Sequence, residues 1–371
     1  MEIHVEDHLR ARLERGEKLR VKFGLDPTAP DLHVGHLVVF DVLRAFQDDG
    51  HQVVVIIGDY TALIGDPSGR SETRPMLSPE QVNANAETYF KQVGLVLDRE
   101  RIEVRHNSEW LAPLTAADIL RLMGKATLQQ VLQREDFANR LKAGTAIGAH
   151  EILYPFNQGY DSVAVKADVE VGGTDQLFNL LFGREIQKHY DQEPQDIAVF
   201  PLLEGTDGEQ KMSKSLGNYI GINEPPEQIY GKTMSIPDRL TEKYVRLISG
   251  LDPKQQDEVL AMKPRDAKAA LARQLVKRLH GEEAAARAEA DFDTKFRKHE
   301  VPQGSEEEHS ISGPTDIVSL LVATGIASSR NEARRLAQQG GVRVNGEKVD
   351  ENGQATTGDL MVARRRYIRL R

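Results

Sequence analysis

Along the first 220 or so positions the apolar residues fall into two alternating rhythms. The continuous run Val53 to Ile57 is the pattern of a strand buried on both faces. Val39, Val42, Leu43 and Phe46 instead recur at i, i+3, i+4 and i+7 and predict a helix that Gly50 closes. With Leu19 to Leu25 ahead of that helix, the stretch reads strand, helix, strand. A second cycle runs through a strand Ile102 to Arg105 and a helix Ala116 to Met123, with Thr115 and Asp118 at capping-box spacing. A third has a strand Val169 to Val171, a helix from about Gln176 to Tyr190 and a strand Ala198 to Leu203. This alternation predicts an α/β fold: a Rossmann-like, doubly wound parallel sheet, whose ligands sit beyond the strand C-termini.

Past Pro225-Pro226 the strand signals stop. Helical stretches follow at Arg239 to Ser249, Pro253 to Met262, Arg265 to His280 and Glu282 to Lys298, which predicts an all-helical unit. Val301 to Ser312 collects Pro, Gly, Ser and Glu306-Glu307-Glu308, a composition suited to a solvated linker. The last block predicts a helix from Asp316, a second capped by Ser329 with Glu332, and a hairpin at Asn345-Gly346. The expected organisation is therefore a sheet domain at 1–222, a helical domain at 223–298, a linker at 299–314 and a small α+β domain at 315–371. No internal repeat is evident.

Composition narrows the possibilities further. A chain of 371 residues is longer than one ordinary domain. No apolar run approaches the roughly 18 residues that cross a bilayer, and Met1 to Leu9 lacks the plan of a secretion signal, so a cytoplasmic protein without a membrane partner is expected. With no cysteine, disulfides, thiolate catalysis and cysteine-held zinc are excluded. The net charge of −9 is unevenly spread. Thr315 to Arg371 carries ten basic and six acidic residues, net +4, against 38 basic and 51 acidic before it, net −13. A basic module follows an acidic body, as suits a nucleic-acid partner.

Two short strings could carry chemistry. Leu32-His33-Val34-Gly35-His36 puts two imidazoles on one face at a helix start, where an anion is favoured and a flat base could pack on Gly35; a surface pair or weak metal site is the plain alternative. Lys211-Met212-Ser213-Lys214-Ser215 forms a mobile loop whose ammonium groups could stabilise departing pyrophosphate; an ordinary basic loop is the alternative. Asp66 to Arg70 lacks the frame of a P-loop. Trp110 reads as packing.

Together the His-x-Gly-His and Lys-Met-Ser-Lys-Ser strings resemble the signature pair of class I aminoacyl-tRNA synthetases. More narrowly, Gly24 to Thr28, Ile64 to Arg70, Tyr154 to Asp161 and Gly172 to Gln176 are similar to the bacterial tyrosyl-tRNA synthetases, and the terminal module resembles an S4-type RNA-binding domain. The resemblance implies activation of L-tyrosine by ATP with Mg2+, then transfer to tRNA(Tyr), in a homodimer whose interface lies at about 125–154. It implies that Asp66, Tyr154 and Gln158 bind the substrate ammonium and Asp161 the phenol hydroxyl, with Gln176 beside them. His33, His36, Arg70, Arg74, Lys211 and Lys214 would act on the phosphates, and Gly24, Asp26, Thr28, Gly35, Asp175, Met212, Ser213 and Ser215 would surround ATP. No metal is expected on protein ligands. Arg330, Arg334 and Arg335 on one helix and Arg364, Arg365 and Arg366 near a terminal strand are the expected tRNA contacts. One position departs from the family: Lys22 stands where better-known members carry a phenol-binding tyrosine. A tryptophanyl-type enzyme and a catalytically silent RNA-binding relative are the alternatives.

Overall fold

The computed structural model describes residues 2–27, 32–66, 78–294, 307–311, 313–327, 329–345, 347–355, 358–362 and 366–370. These group into two compact units, one of Met1–Pro225 with Lys232–Leu275, the other of Pro226–Gly231 with Val276–Arg371.

The first unit is built on six strands: β1 (Glu2–His4), β2 (Arg20–Leu25), β3 (Gln52–Ile57), β4 (Ile102–His106), β5 (Val169–Gly173) and β6 (Asp196–Phe200). Their order is β1-β6-β5-β2-β3-β4. The five that the apolar runs predict are parallel, and Val53 to Ile57 is buried throughout, as a strand covered on both faces must be. The sequence reading missed β1, which pairs antiparallel with β6. Three residues that include Glu2 and His4 carry no apolar signal, because an edge strand is held through its backbone.

Local signals explain where the helices begin. Helix Ala116–Met123 has the expected capping box: Thr115 Oγ1 accepts from the Asp118 N–H, and the Asp118 carboxylate accepts from the Thr115 N–H at 3.0 Å. Helix Leu37–Asp48 buries Leu37, Phe40 and Leu43 and ends before Gly50, whose φ of 80° lets the chain turn into β3. Beyond β6 the helices are Pro226–Ser235, Thr241–Ile248, Pro253–Leu260, Pro264–His280 and Glu282–Asp293. Expected as a unit of their own, they are shared between the two compact units. Among the described residues no helix is long and apolar enough to cross a membrane.

In the second unit, helices Ile317–Ala323 and Arg330–Gln338 close a core of Ile317, Leu320, Leu321, Val342, Leu360 and Ile368. The first helix starts where expected, with Asp316 as its cap accepting from the Ser319 N–H, and the expected cap of the second is present, Ser329 accepting from the Glu332 N–H. The hairpin is present too, pairing Val344 with Glu347, with Asn345 in the left-handed region at φ 53°. One expectation fails. Within the stretch read as linker, Glu307–His309 is a strand that pairs parallel with Arg366–Leu370. Its acidic composition hid it, since ladder hydrogen bonds need no apolar side chain at a sheet edge.

Candidate active site

Strand order reverses at β2. The chain runs from β2 outward through β3 to β4 on one side, then returns to β5 and β6 on the other. A crevice opens at such a point, beyond the C-terminal ends of the strands. Here it is a cleft of about 550 Å³, lined at the strand ends by Gly24, Asp26, Gly58 and Gly173. The pairing of β2 with β5 covers only Val21 with Val169 and Lys22 with Glu170, so the later residues of both strands are free to line the crevice. Gly58 is required there, because a Cβ would collide with the Asp26 carboxylate and the Thr61 hydroxyl.

At one end of the cleft His33 and His36 lie together, with ring centroids 4.1 Å apart. They are positioned by backbone pairing: the Val34 N–H donates to the Ile220 carbonyl at 2.9 Å and the Ile222 N–H to the Leu32 carbonyl at 3.1 Å. That same pairing brings in the Lys211 to Ser215 segment, which precedes residue 220. Burial lowers both histidines, His33 well below its usual value and His36 to about 4, with the Lys214 ammonium adding to both. They are neutral imidazoles at pH 7. A Cβ on Gly35 would stand 2.9 Å from His33 Nδ1, so the missing side chain makes room for the His33 ring. The lysine loop is tied down by Asn218, whose side chain accepts from the Ser213 N–H at 2.8 Å and donates to the Lys211 carbonyl at 3.2 Å and to Asp207 at 2.8 Å. Lys211 pairs with Asp175 at 3.2 Å, and Met212 is buried.

The other end is set by helix Tyr154–Val165, on which Tyr154, Gln158 and Asp161 all face the cleft. The Tyr154 hydroxyl donates to Asp26 at 2.8 Å, and Thr61 donates to the other Asp26 oxygen at 2.8 Å. Asp66 accepts from Arg134 at 3.0 Å and from Gln176 at 2.7 Å. Gln158 Oε1 is buried with no partner among the described residues, an acceptor left for a ligand. Asp161 accepts from Trp110 Nε1 at 2.8 Å and Asn107 Nδ2 at 3.3 Å. Burial pushes its pKa up to about 7 against the pull of Lys22.

The family profile described as "tRNA synthetases class I (W and Y)" matches residues 14–297, and an S4 domain profile matches 317–360. The chain belongs to the class I tRNA synthetases of this group. It is 50% identical over 375 residues to the tyrosine–tRNA ligase of Thermotoga maritima, a match covering 98% of this chain and 93% of that protein. With the tyrosine–tRNA ligase of Bordetella pertussis it shares 48% identity over 385 residues, covering 100% and 93%. Among solved structures, a C-terminally truncated mitochondrial tyrosyl-tRNA synthetase of Coccidioides posadasii superposes with a TM-score of 0.64 at 25% identity, covering 78% of this chain and 87% of that one.

Against this synthetase frame, the cleft gathers Gly24, Asp26, His33, Gly35, His36, Asp66, Tyr154, Gln158, Asp161, Asp175, Gln176, Lys211, Met212, Ser213 and Lys214. Ser215 lies in the turn Lys214–Leu216. Thr28, Arg70, Arg74, Arg364 and Arg365 fall outside the described residues, and Arg366 opens a strand. Arg330, Arg334 and Arg335 are exposed, while Ala333 and Ala337 of the same helix are buried. Sequence reasoning missed Trp110 as a site residue. It does pack against Val54 and Ile56, as expected, but its indole N–H also holds Asp161. Asn107, Asn218 and Glu170 were missed as well. Only Glu170 left a signal: a carboxylate between Val169 and Val171 in a buried strand needs a buried partner.

Proposed function

We infer that the chain activates L-tyrosine with ATP, taken as its magnesium complex, to tyrosyl-adenylate and pyrophosphate, and passes the tyrosyl group to the 3′-terminal ribose of tRNA(Tyr). The substrate carboxylate is ionised at neutral pH, so the attack on the α-phosphorus needs no general base. It needs alignment and a sink for the charge of the departing pyrophosphate. Asp66, Tyr154 and Gln158, with its unpartnered Oε1, receive the ammonium, Asp161 receives the ring hydroxyl, and Gln176 flanks the carboxylate. Because His33 and His36 are neutral, they serve the phosphates as hydrogen-bond donors and leave the positive charge to Lys211 and Lys214, with Arg70 and Arg74 contributing as well. Gly24, Asp26, Thr28, Gly35, Asp175, Met212, Ser213 and Ser215 form the nucleotide's surroundings.

The buried Asp161 carboxylate, held by two side-chain donors at the end of the cleft, carries the reading; the names of the half-identical relatives support it. The exposed arginines of helix Arg330–Gln338 and the S4 match support tRNA contacts from the terminal module, alongside Arg364, Arg365 and Arg366. Residues 223–298 are proposed as the anticodon-side segment. Leu120, Leu128 and Leu141, exposed at 71%, 55% and 54% beside or within 125–154, support a homodimer through that region. The proposed compartment is the cytoplasm. Pyrophosphate exchange measured across the amino acids is the test: tyrosine should drive it, and exchange driven by tryptophan or by no amino acid would overturn the reading.

A further inference from the structure

The wall of the amino-acid pocket carries a charge that the reaction above does not use. Lys22 is fully buried and stands opposite Glu170 at the last rung of the β2–β5 pairing. Its ammonium has three protons, and three acceptors surround it: Glu170 Oε1 at 2.8 Å, Ser162 Oγ at 2.8 Å and the Gln158 carbonyl at 3.1 Å. All three protons are committed within the protein. Asp161 is different. It accepts one side-chain donor on each oxygen, which leaves each oxygen a lone pair for a ligand.

We propose, resting on the reading of tyrosine activation, that Lys22 and Glu170 are a positioning pair for Asp161. They pin its helix through Gln158 and Ser162, Glu170 holds the ammonium in place, and the ammonium keeps the Asp161 carboxylate an ionised acceptor, so that the pocket recognises the ring's para substituent as a hydrogen-bond donor. Among the described residues, the other charged and titratable groups near Asp161 include Asp26 at the end of β2, Arg105 of β4 stacked on Trp110 at 5.3 Å, and Tyr154 on its own helix. Helix Leu177–Lys188 presents Phe182 and Ile186 to helix Tyr154–Val165 rather than a charge. The Lys22 ammonium therefore opposes both the burial of Asp161 and the repulsion from Asp26. Neutralising it favours the protonated acid, and that acid cannot accept from a phenol as the carboxylate does.

The experiment follows kcat/KM in pyrophosphate exchange for tyrosine and phenylalanine between about pH 5 and 9, in the full chain and in Lys22→Met and Glu170→Gln. In the parent the tyrosine-to-phenylalanine ratio should fall as pH drops through about 7. Lys22→Met should move that midpoint up by about one unit, a loss of about tenfold in the ratio on the acidic side. Glu170→Gln removes a negative charge and keeps the ammonium, so its midpoint should move down. A merely structural role would lower both amino acids together and leave the midpoint in place, and that result overturns the proposal. If Lys22→Met does not fold, Glu170→Gln decides alone: an unmoved or raised midpoint refutes the pair. As a further arm, 4-aminophenylalanine, a neutral donor, should be activated better than 4-fluorophenylalanine, and the reverse order sinks donor recognition. Absence of tyrosine-driven exchange in the parent would instead refute the underlying reading of function.

Discussion

In the cleft, Lys22, Glu170 and Asp161 are 0%, 2% and 5% exposed, and each meets named partners at hydrogen-bond distance. On helix Arg330–Gln338 of the terminal unit, Arg330, Arg334 and Arg335 stand in solvent. The same kind of group does different work in the two places. A buried charge is unscreened and expensive to leave unpaired, so it discriminates between ligands that differ by one hydroxyl. An exposed charge is screened within about 10 Å and contributes little alone, so it adds affinity only in numbers. On the proposed function, the first region therefore depends on single atoms and the second on a summed field.

The largest expected effect lies where burial is deepest. Asp161→Ala removes the acceptor and leaves Trp110 Nε1 and Asn107 Nδ2 without their partner. Tyrosine over phenylalanine in kcat/KM should fall about a hundredfold, in line with the roughly 3 kcal/mol of a lost bond to a charged group. A variant that discriminates as well as the parent would put the phenol elsewhere. Close behind is Lys214→Ala at the nucleotide end. In its proposed role its interaction with pyrophosphate strengthens as charge develops, so single-turnover adenylate formation should slow about a hundredfold while equilibrium tyrosine binding barely changes. An unchanged rate constant removes Lys214 from the chemistry.

A third test uses pH. Burial holds His36 at about 4, while in the unfolded chain it titrates near 6.5, so below 6.5 only the unfolded state takes up its proton. Stability contributed by the neutral imidazole is present above 6.5 and is lost as pH falls toward 4. At pH 5 the loss is about 2 kcal/mol from this group, and His33 adds to it in the same direction. Denaturant unfolding at pH 7 and pH 5 in the parent and in His36→Gln measures it: the variant should lose distinctly less stability between the two conditions, and equal losses would count against a buried neutral His36.

The sequence was most legible where burial and periodicity coincide. Val53 to Ile57 announced β3, and Thr115 with Asp118 announced its helix to the residue. Glu2–His4 and Glu307–His309 were invisible because edge strands are held by backbone groups that no side chain reports. In the site, Tyr154, Gln158 and Asp161 could be placed together because the i, i+4, i+7 spacing on a helix puts them on one face. Trp110, Asn107 and Asn218 could not, since their roles depend on which distant carboxylate or loop the fold brings to them, and nothing in their neighbours records that. Lys22 is intermediate: it stood out as a departure from the family's tyrosine, while its partner needed the β2–β5 register.

The smallest single effects belong to the terminal unit, and they sharpen the comparison best when taken together. Ser329 caps the helix and Ala333 and Ala337 bury its inner face, so alanine at Arg330, Arg334 or Arg335 leaves the fold of the unit largely alone; among the described residues only Arg330 gives up a side-chain bond, to Ser319 Oγ at 2.9 Å. Each substitution should weaken tRNA charging by only a few-fold, as expected for one exposed arginine on a phosphate. The triple variant should compound these effects, raise the KM for tRNA rather than lower kcat, and flatten the dependence of log KM on log salt by about one unit for each phosphate no longer neutralised. Tyrosine-dependent pyrophosphate exchange, which the proposed function assigns to the cleft, should be unchanged. Measuring charging across a salt series and exchange in parallel separates the outcomes. An unaltered salt slope would move the tRNA-binding surface off this helix, and a matching fall in exchange would mean that the arginines act on the cleft and that the two regions are not independent in their chemistry.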